Sequence, residues 1–427
     1  MFPGTWRETS TGELIETEAL AIGDGYRAKN AEFGGSGLPF LRISNLTNGS
    51  ITLAGADMFP EENLDRVGDK VSQPGDCVIA TKATIGRLAF IDASTPRLVY
   101  SPQVSYWRVL DANVIEPQFL RYWLQGREFL LQVQAMKGAT DMADYVNLRD
   151  QRRMNLTLPP IEIQRSIGQA LSAFDDLIAN NTRRIEVLEK MARAIYREWF
   201  VEFRYPGHEG VPLIESELGP IPKGWTAQPM GEFATVVDCS HARKPQEEPD
   251  GAGLLLHVWN VGGAGRLDLT KQFRIRADDY EAWSKRIEAS PGDCVITKTG
   301  RVGAVGQIPN GVKAALGRNL VAIRRVDAPT FLIGYLTSQT KDREVQRLTA
   351  RGTIMESLPV GSVEDMHVPV PPVPVMHRYE GLVRPLRRQV EVLAGTNAVL
   401  VTTRDFLLPK LVSGEIDVSN FYLDSVA

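Results

Sequence analysis

From Leu158 to Tyr205 the chain carries no proline after Pro159-Pro160, and its sole glycine there is Gly168. Apolar residues recur at Ile167, Leu171, Phe174, Ile178, Ile185, Leu188, Ala192, Ile195 and Trp199, and Asn181 fills the remaining place in the three-then-four alternation. A heptad seam of this length predicts a long helix packed against another helix. At about 1.5 Å per residue it spans roughly 60 Å, more than a compact domain needs. The stretch reads as a spacer rather than as the long core helix of one domain.

A partner for the seam lies near the C-terminus. Pro371-Pro372 opens a second series: Tyr379, Val383, Leu386, Val390, Leu393, Asn397, Leu400, Leu407 and Leu411. Arg404 breaks the apolar run after Leu400. Pro385, Pro409, Gly381 and Gly395 lie inside it and predict a helix that is kinked or starts late.

Two helices that each follow a similar block imply a duplication, and the whole chain repeats once. Phe2–Leu14 matches Ile221–Phe233, Pro3 over Pro222 and Trp6 over Trp225. Asn45 falls against Asn260. The firmest match is PGDCVI at Pro74–Ile79 and again at Pro291–Ile296, with Gly86 then lying over Gly303. Pro117-Gln118-Phe119-Leu120 matches Pro329-Thr330-Phe331-Leu332, and Gly138 matches Gly352. Within each copy, LPFLRISNL or LLLHVWNV, the PGDCVI segment, and VSYWRVL or NLVAIRRV read as strands. A helix opening with proline follows each set, over Pro117–Met136 and Pro329–Thr349. Each copy is therefore an α+β unit. The Pro-, Gly- and acid-rich segment Pro206–Gly224 reads as the linker between them.

The chemistry a chain of this kind can perform is narrowed mostly by what its sequence lacks. Of 427 residues, 43% are hydrophobic and 23% charged, an ordinary globular balance. There is no long apolar run and no basic-then-apolar start, so neither a membrane span nor a signal peptide is expected, and the expected location is cytoplasmic. Three cysteines without metal-type spacing point to a reducing compartment. No phosphate-binding G-x-x-x-x-G-K-[ST] loop, H-E-x-x-H or methyltransferase tetrad occurs. Gly300–Gly306 (GRVGAVG) resembles a phosphate cradle, but its first-copy counterpart Ala83–Ala89 does not, so a tight strand connection is expected. Cys77 and Cys294 are expected to be buried, inert thiols. Neither a catalytic residue nor a metal site is assigned.

Binding remains, although a net charge of −4 does not favour nucleic acid. Tyr26, Arg27, Lys29 and Asn30 occupy a polar stretch in the first copy, as His241, Arg243 and Lys244 do in the second. Lys82 and Arg87 follow the first PGDCVI strand; Lys298 and Arg301 follow the second. Gln103, and Asn319 with Arg318 before it, open the next strand, where an amide side chain can pair bidentately with adenine. These residues are the candidate DNA contacts. Each alone is more readily a solvated surface residue; their recurrence sets them apart.

Taken with IPKGW and GEF, LPPIEIQRSI, MARAIYREWFVEF and LLPKLVSGEI, these segments give the chain a resemblance, along its whole length, to the specificity subunits of type I restriction–modification enzymes. The resemblance implies an α+β fold with a pseudo-two-fold repeat. Two tandem α/β target recognition domains (1–158, and 206–370 with its linker) would be separated by two long antiparallel helices (159–205 and 371–427) forming a coiled coil. Each domain would read one half of a bipartite DNA target, and the helices would set the spacer and dock two methyltransferase subunits. S-adenosylmethionine, ATP and Mg2+ would be used by the methyltransferase and restriction subunits, none by this chain. A non-catalytic scaffold that binds protein without discriminating DNA sequence is the alternative, followed by an enzyme with a site at Gly300–Gly306.

Overall fold

The computed structural model describes residues 6–47, 49–82, 85–136, 146–351 and 356–418. Pro3, Ala83, Thr84 and the Gly138/Gly352 match lie outside them. Two compact units emerge: Met1–Ala179 with Asn397–Ala427, and Asn180–Thr396. Each long helix is thus divided between the units instead of forming a body of its own.

The first unit is built on a sheet of four strands, β1 (Leu20–Asp24), β2 (Cys77–Ala80), β3 (Leu88–Phe90) and β4 (Val104–Val109), in the order β1-β4-β2-β3. All its pairings are antiparallel. Helix α1 (Pro117–Trp123) starts at a proline and is capped by the Glu116 side chain, which accepts from the Gln118 N–H. The helix expected over Pro117–Met136 is broken at Gln125-Gly126, and α2 (Arg127–Met136) continues it. Both helices pack on the sheet through Trp107, Phe119, Trp123 and Phe129. The LPFLRISNL segment gives a strand only over Gly37–Leu41, then a turn of 3-10 helix at Ile43–Asn45.

The second unit repeats this plan. Strands β5 (Thr235–Asp238), β6 (Gly265–Arg266), β7 (Cys294–Thr297), β8 (Val305–Gln307) and β9 (Leu320–Arg324) pair in the order β5-β9-β7-β8-β6. LLLHVWNV again gives a strand (Gly253–Leu256) and a 3-10 turn (Val258–Asn260). The predicted helix again divides, into α4 (Pro329–Leu336) and α5 (Gln339–Leu348), where Ser338 caps the second piece by accepting from the Lys341 N–H. The linker segment holds a short antiparallel pair, Leu213–Ile214 with Ile221–Pro222.

The two seams form helices of 40 residues each, α3 (Ile161–Phe200) and α6 (Val373–Val412). Helix α6 is unbroken through Pro385, which corrects the expectation of a late start. Pro385 removes one backbone donor and crowds the carbonyl four residues back, at a cost of about 3 kcal/mol. The residue there is Gly381, whose missing side chain leaves the backbone room to adjust. Burial of Tyr379, Val383, Val390 and Leu393 on the same helix contributes about 1.5–3 kcal/mol per side chain and outweighs that cost.

Within the first unit, Ile167 and Leu171 of α3 share a core with Leu408 and Leu411 of α6. There Asn397 Nδ2 donates to the Ile178 carbonyl at 3.3 Å, and Arg404 pairs with Asp175 at 2.5 Å, so the helices run antiparallel. Arg404, the break in the apolar seam, has a charged partner that also accepts from Arg121 and Tyr122. Within the second unit, Ile185 packs with Val390 and Leu393, while Tyr196 and Phe200 pack with Tyr379, antiparallel again. Phe174, Ile178, Leu188, Ile195, Leu386 and Leu400 are half-buried. Toward the end of α3 the buried stripe passes from Ala192 to Tyr196, Trp199 and Phe200, not through Ile195. Among the described residues no helix is long and apolar enough to cross a membrane.

Candidate nucleic-acid interface

Strand register brings the candidates in each unit to one end of its sheet. In the first unit Ala80, the last residue of β2, lies opposite Val104, and Asp24, the last of β1, lies opposite Ser105. The segments that follow β1 and β2 and the one that precedes β4 therefore share an edge. They carry Tyr26–Asn30, Lys82 and Gln103. The second unit does the same: Thr297 lies opposite Leu320 and Asp238 opposite Val321, so His241–Lys244, Lys298 and Arg318-Asn319 emerge together. Gln103 and Asn319 hold matching places. The Gln103 carbonyl accepts from the Thr81 N–H at 3.1 Å, and the Asn319 carbonyl from the Lys298 N–H at 2.8 Å. Both residues are exposed, and Asn319 adopts a left-handed φ of 71°, a conformation asparagine tolerates better than most residues.

The same register shows that Lys298 matches Thr81, not Lys82, and its role differs from the expected one. Its Nζ lies 2.7 Å from Asp238 Oδ1, a half-buried ion pair inside the unit. Arg87 donates to the Leu46 carbonyl at 2.7 Å, and Arg301 donates to the Val261 carbonyl. The two arginines come from different places in their loops yet reach the residue after each matched asparagine. Tyr26 donates to Glu32 at 3.0 Å and packs edge-on to Phe59; that hydrogen bond raises its pKa. These four side chains hold the fold together. Arg27, Lys29, Asn30, Lys82, Gln103, Arg243, Lys244, Arg318 and Asn319 are exposed. His241 is exposed as well, with Nε2 3.3 Å from Asp238.

Two repeated polar devices escaped the sequence reading. Arg108 and Arg324 each bracket the aspartate of a PGDCVI turn, Asp76 and Asp293, through Nε and Nη2. The second is the matched asparagine. Asn45 Oδ1 accepts from Arg42 N and Asn260 Oδ1 from His257 N, both at 2.9 Å, while each amide nitrogen donates to a carbonyl further along its loop. An arginine recurring 32 residues after the first PGD aspartate and 31 after the second was the available signal for the first.

Nothing in the chemistry of these groups points to bond-making. Cys77 and Cys294 are buried, and burial pushes the Cys77 thiol up to about 12. The Gly300–Gly306 loop joins antiparallel β7 and β8, with Gly300 and Gly303 at positive φ, so it is the strand connection the sequence predicts. Asp238, Cys239 and His241 place ligand-type atoms within 4.8 Å of one another. The ammonium of Lys298 already sits on that carboxylate, a positive charge that opposes a cation there.

A family model for the type I restriction modification DNA specificity domain matches residues 3–190. Two relatives from Methanocaldococcus jannaschii match across most of the chain. The type I restriction enzyme MjaIX specificity subunit is 21% identical over 408 residues, covering 93% of this chain and 91% of the relative. The putative MjaX specificity subunit is 21% identical over 429 residues, covering 97% and 95%. The fold is similar to that of the type-I restriction-modification system S subunit from M. genitalium, with a TM-score of 0.60, 14% identity, and 95% and 96% of the two chains covered. With one model matching its first repeat and relatives matching both, the chain is similar along nearly its whole length to specificity subunits of type I restriction–modification systems.

Proposed function

We propose that this chain gives a type I restriction–modification complex its DNA sequence specificity, each unit reading one half of a bipartite duplex target. The observation that carries the reading is the matched placement of Gln103 and Asn319 at equivalent sheet ends, each with exposed cations from neighbouring segments. An amide side chain can recognise adenine bidentately in the major groove, and the cations beside it can neutralise phosphates. The net charge of −4 is compatible with this because cations gathered at one end, not the chain total, meet the backbone.

In this reading α3 and α6 set the unread spacer and dock two methyltransferase subunits. The chain does no catalysis: S-adenosylmethionine is used by the methyltransferase subunits, ATP and Mg2+ by restriction subunits. The test is co-expression with its modification subunits, followed by mapping of methylated adenines in host DNA. A two-part motif with a fixed gap is expected. Methylation whose pattern is unaffected by this chain would overturn the reading and favour a scaffold role.

A further inference from the structure

The second unit carries an exposed indole in a turn whose counterpart in the first unit presents a serine. Trp259 lies in the 3-10 turn Val258–Asn260 and is 52% exposed, whereas Trp107, Trp123, Trp199, Trp225 and Trp283 are buried. Exposing an indole gives up most of what its burial would contribute, so its place needs a reason. The ring is held rather than loose. His257 stacks on it at 3.9 Å between centroids and 12° between planes, and Phe273 meets His257 edge-on at 4.8 Å. Asn260, one residue on, is buried and hydrogen-bonded on three sides.

The surroundings are cationic. Lys271 Nζ lies 5.8 Å from the Trp259 ring centre. Arg301 donates to the Val261 carbonyl, which ties its loop to this turn. Gly317 donates its N–H to the Leu256 carbonyl at 2.8 Å, which brings the exposed pair Arg318-Asn319 alongside. A rigid, half-exposed indole among cations, next to a residue already proposed to read bases, has the composition of a nucleic-acid stacking platform. In the first unit the matching turn, Ile43–Asn45, presents Ser44. Arg42, in the place of His257, covers the Phe33 and Phe40 rings at 5.3 and 5.2 Å and pairs with Asp57 at 2.7 Å.

We infer that Trp259 is a specificity-determining contact of the second unit alone, stacking on a base of its half-site at a step the complex distorts. An apolar ring placed at such a step favours sequences that unstack readily, so it selects without a base-edge hydrogen bond. This rests on the DNA-reading function proposed above.

The test uses the full chain in complex with its modification subunits and a duplex bearing its methylated motif. Trp259→Ala is expected to weaken binding about 5- to 150-fold, the range for removal of one base–aromatic stack. The slope of affinity against salt should not change, because no charge is removed. Trp259→Phe should keep most of the affinity, and the methylation map of Trp259→Ala should relax only in the second unit's half-site. Arg318→Ala serves as the control and should lower the salt slope. Wild-type affinity for Trp259→Ala beside a weakened Arg318→Ala would overturn the stacking role and leave DNA reading intact. Equal losses in the Phe and Ala variants would also overturn it. If the wild-type complex does not distinguish its motif from other duplexes, the DNA-reading function itself fails.

Discussion

Arg108 grips Asp76 through two hydrogen bonds of 2.7 Å, from Nε to Oδ1 and from Nη2 to Oδ2, deep inside the first unit. Burial works against the arginine's charge, but the hydrogen bonds and charge of Asp76 outweigh it and raise its pKa. Asp76 also accepts from the Gln73 N–H at 2.8 Å and from Tyr100 Oη at 2.6 Å. The Pro-Gly-Asp turn is thereby tied to the far end of β4. The second unit repeats the device with Arg324 and Asp293, down to the Ser290 N–H at 2.8 Å.

Removing one partner of such a pair strands a buried charge. Arg108→Met should destabilise the first unit by about 3–5 kcal/mol. Denaturation followed unit by unit should show an early transition in the first unit while the second keeps its midpoint. A loss below about 1 kcal/mol would mean that the bracket is ornamental.

Asp238 provides a pH test. Burial alone would raise its pKa, but the hydrogen bond and charge of Lys298, with help from His241 and the Cys239 N–H, hold it below the ordinary aspartate value of about 3.9. A depressed folded pKa stabilises the fold fully above the unfolded value, and the contribution is lost as pH falls through the folded one. Asp238→Asn should therefore be less stable than wild type at pH 7 by about 1–3 kcal/mol, with the gap closing below about pH 4. A gap that stays constant across that range would show that the charge of Asp238 contributes nothing.

Much of the fold was legible in the sequence, because the features that carried it are periodic. The heptads gave both helices, and the repeated PGDCVI gave the two sheets. The splits at Gln125-Gly126 and Ser338 were hidden because good helix formers flank each one, and helix periodicity does not register a single turn or cap. Pro385 misled because its penalty is local, whereas the burial that overrides it is tertiary. The site was less legible. Lys298, Arg87 and Arg301 look like surface cations in sequence, and only the fold shows the carboxylate and carbonyls they reach. Trp259 could not be told from its buried counterparts by residue type alone.

Arg243 and Lys244 are exposed in the segment that follows β5. Changing both to alanine should reduce the salt slope of DNA binding by up to about two, at close to 0.9 for each phosphate left without its cation. Recognition should weaken through the second unit, while the half-site preference of the first persists in the methylation map. A simultaneous change in both preferences would contradict the pairing of one unit with one half-site.

The most direct test of two readers joined by a helical spacer is to lengthen the spacer. Four residues added to each helix, beside Asn181 in α3 and Asn397 in α6, extend the pair by about 6 Å, close to one turn. Four is near the heptad spacing, so each seam should survive with a local stutter. At about 3.4 Å per base pair, methylated sites mapped for this variant should show both half-site sequences unchanged and the gap between them longer by one or two base pairs. An active variant that methylates sites with the original gap would contradict the account.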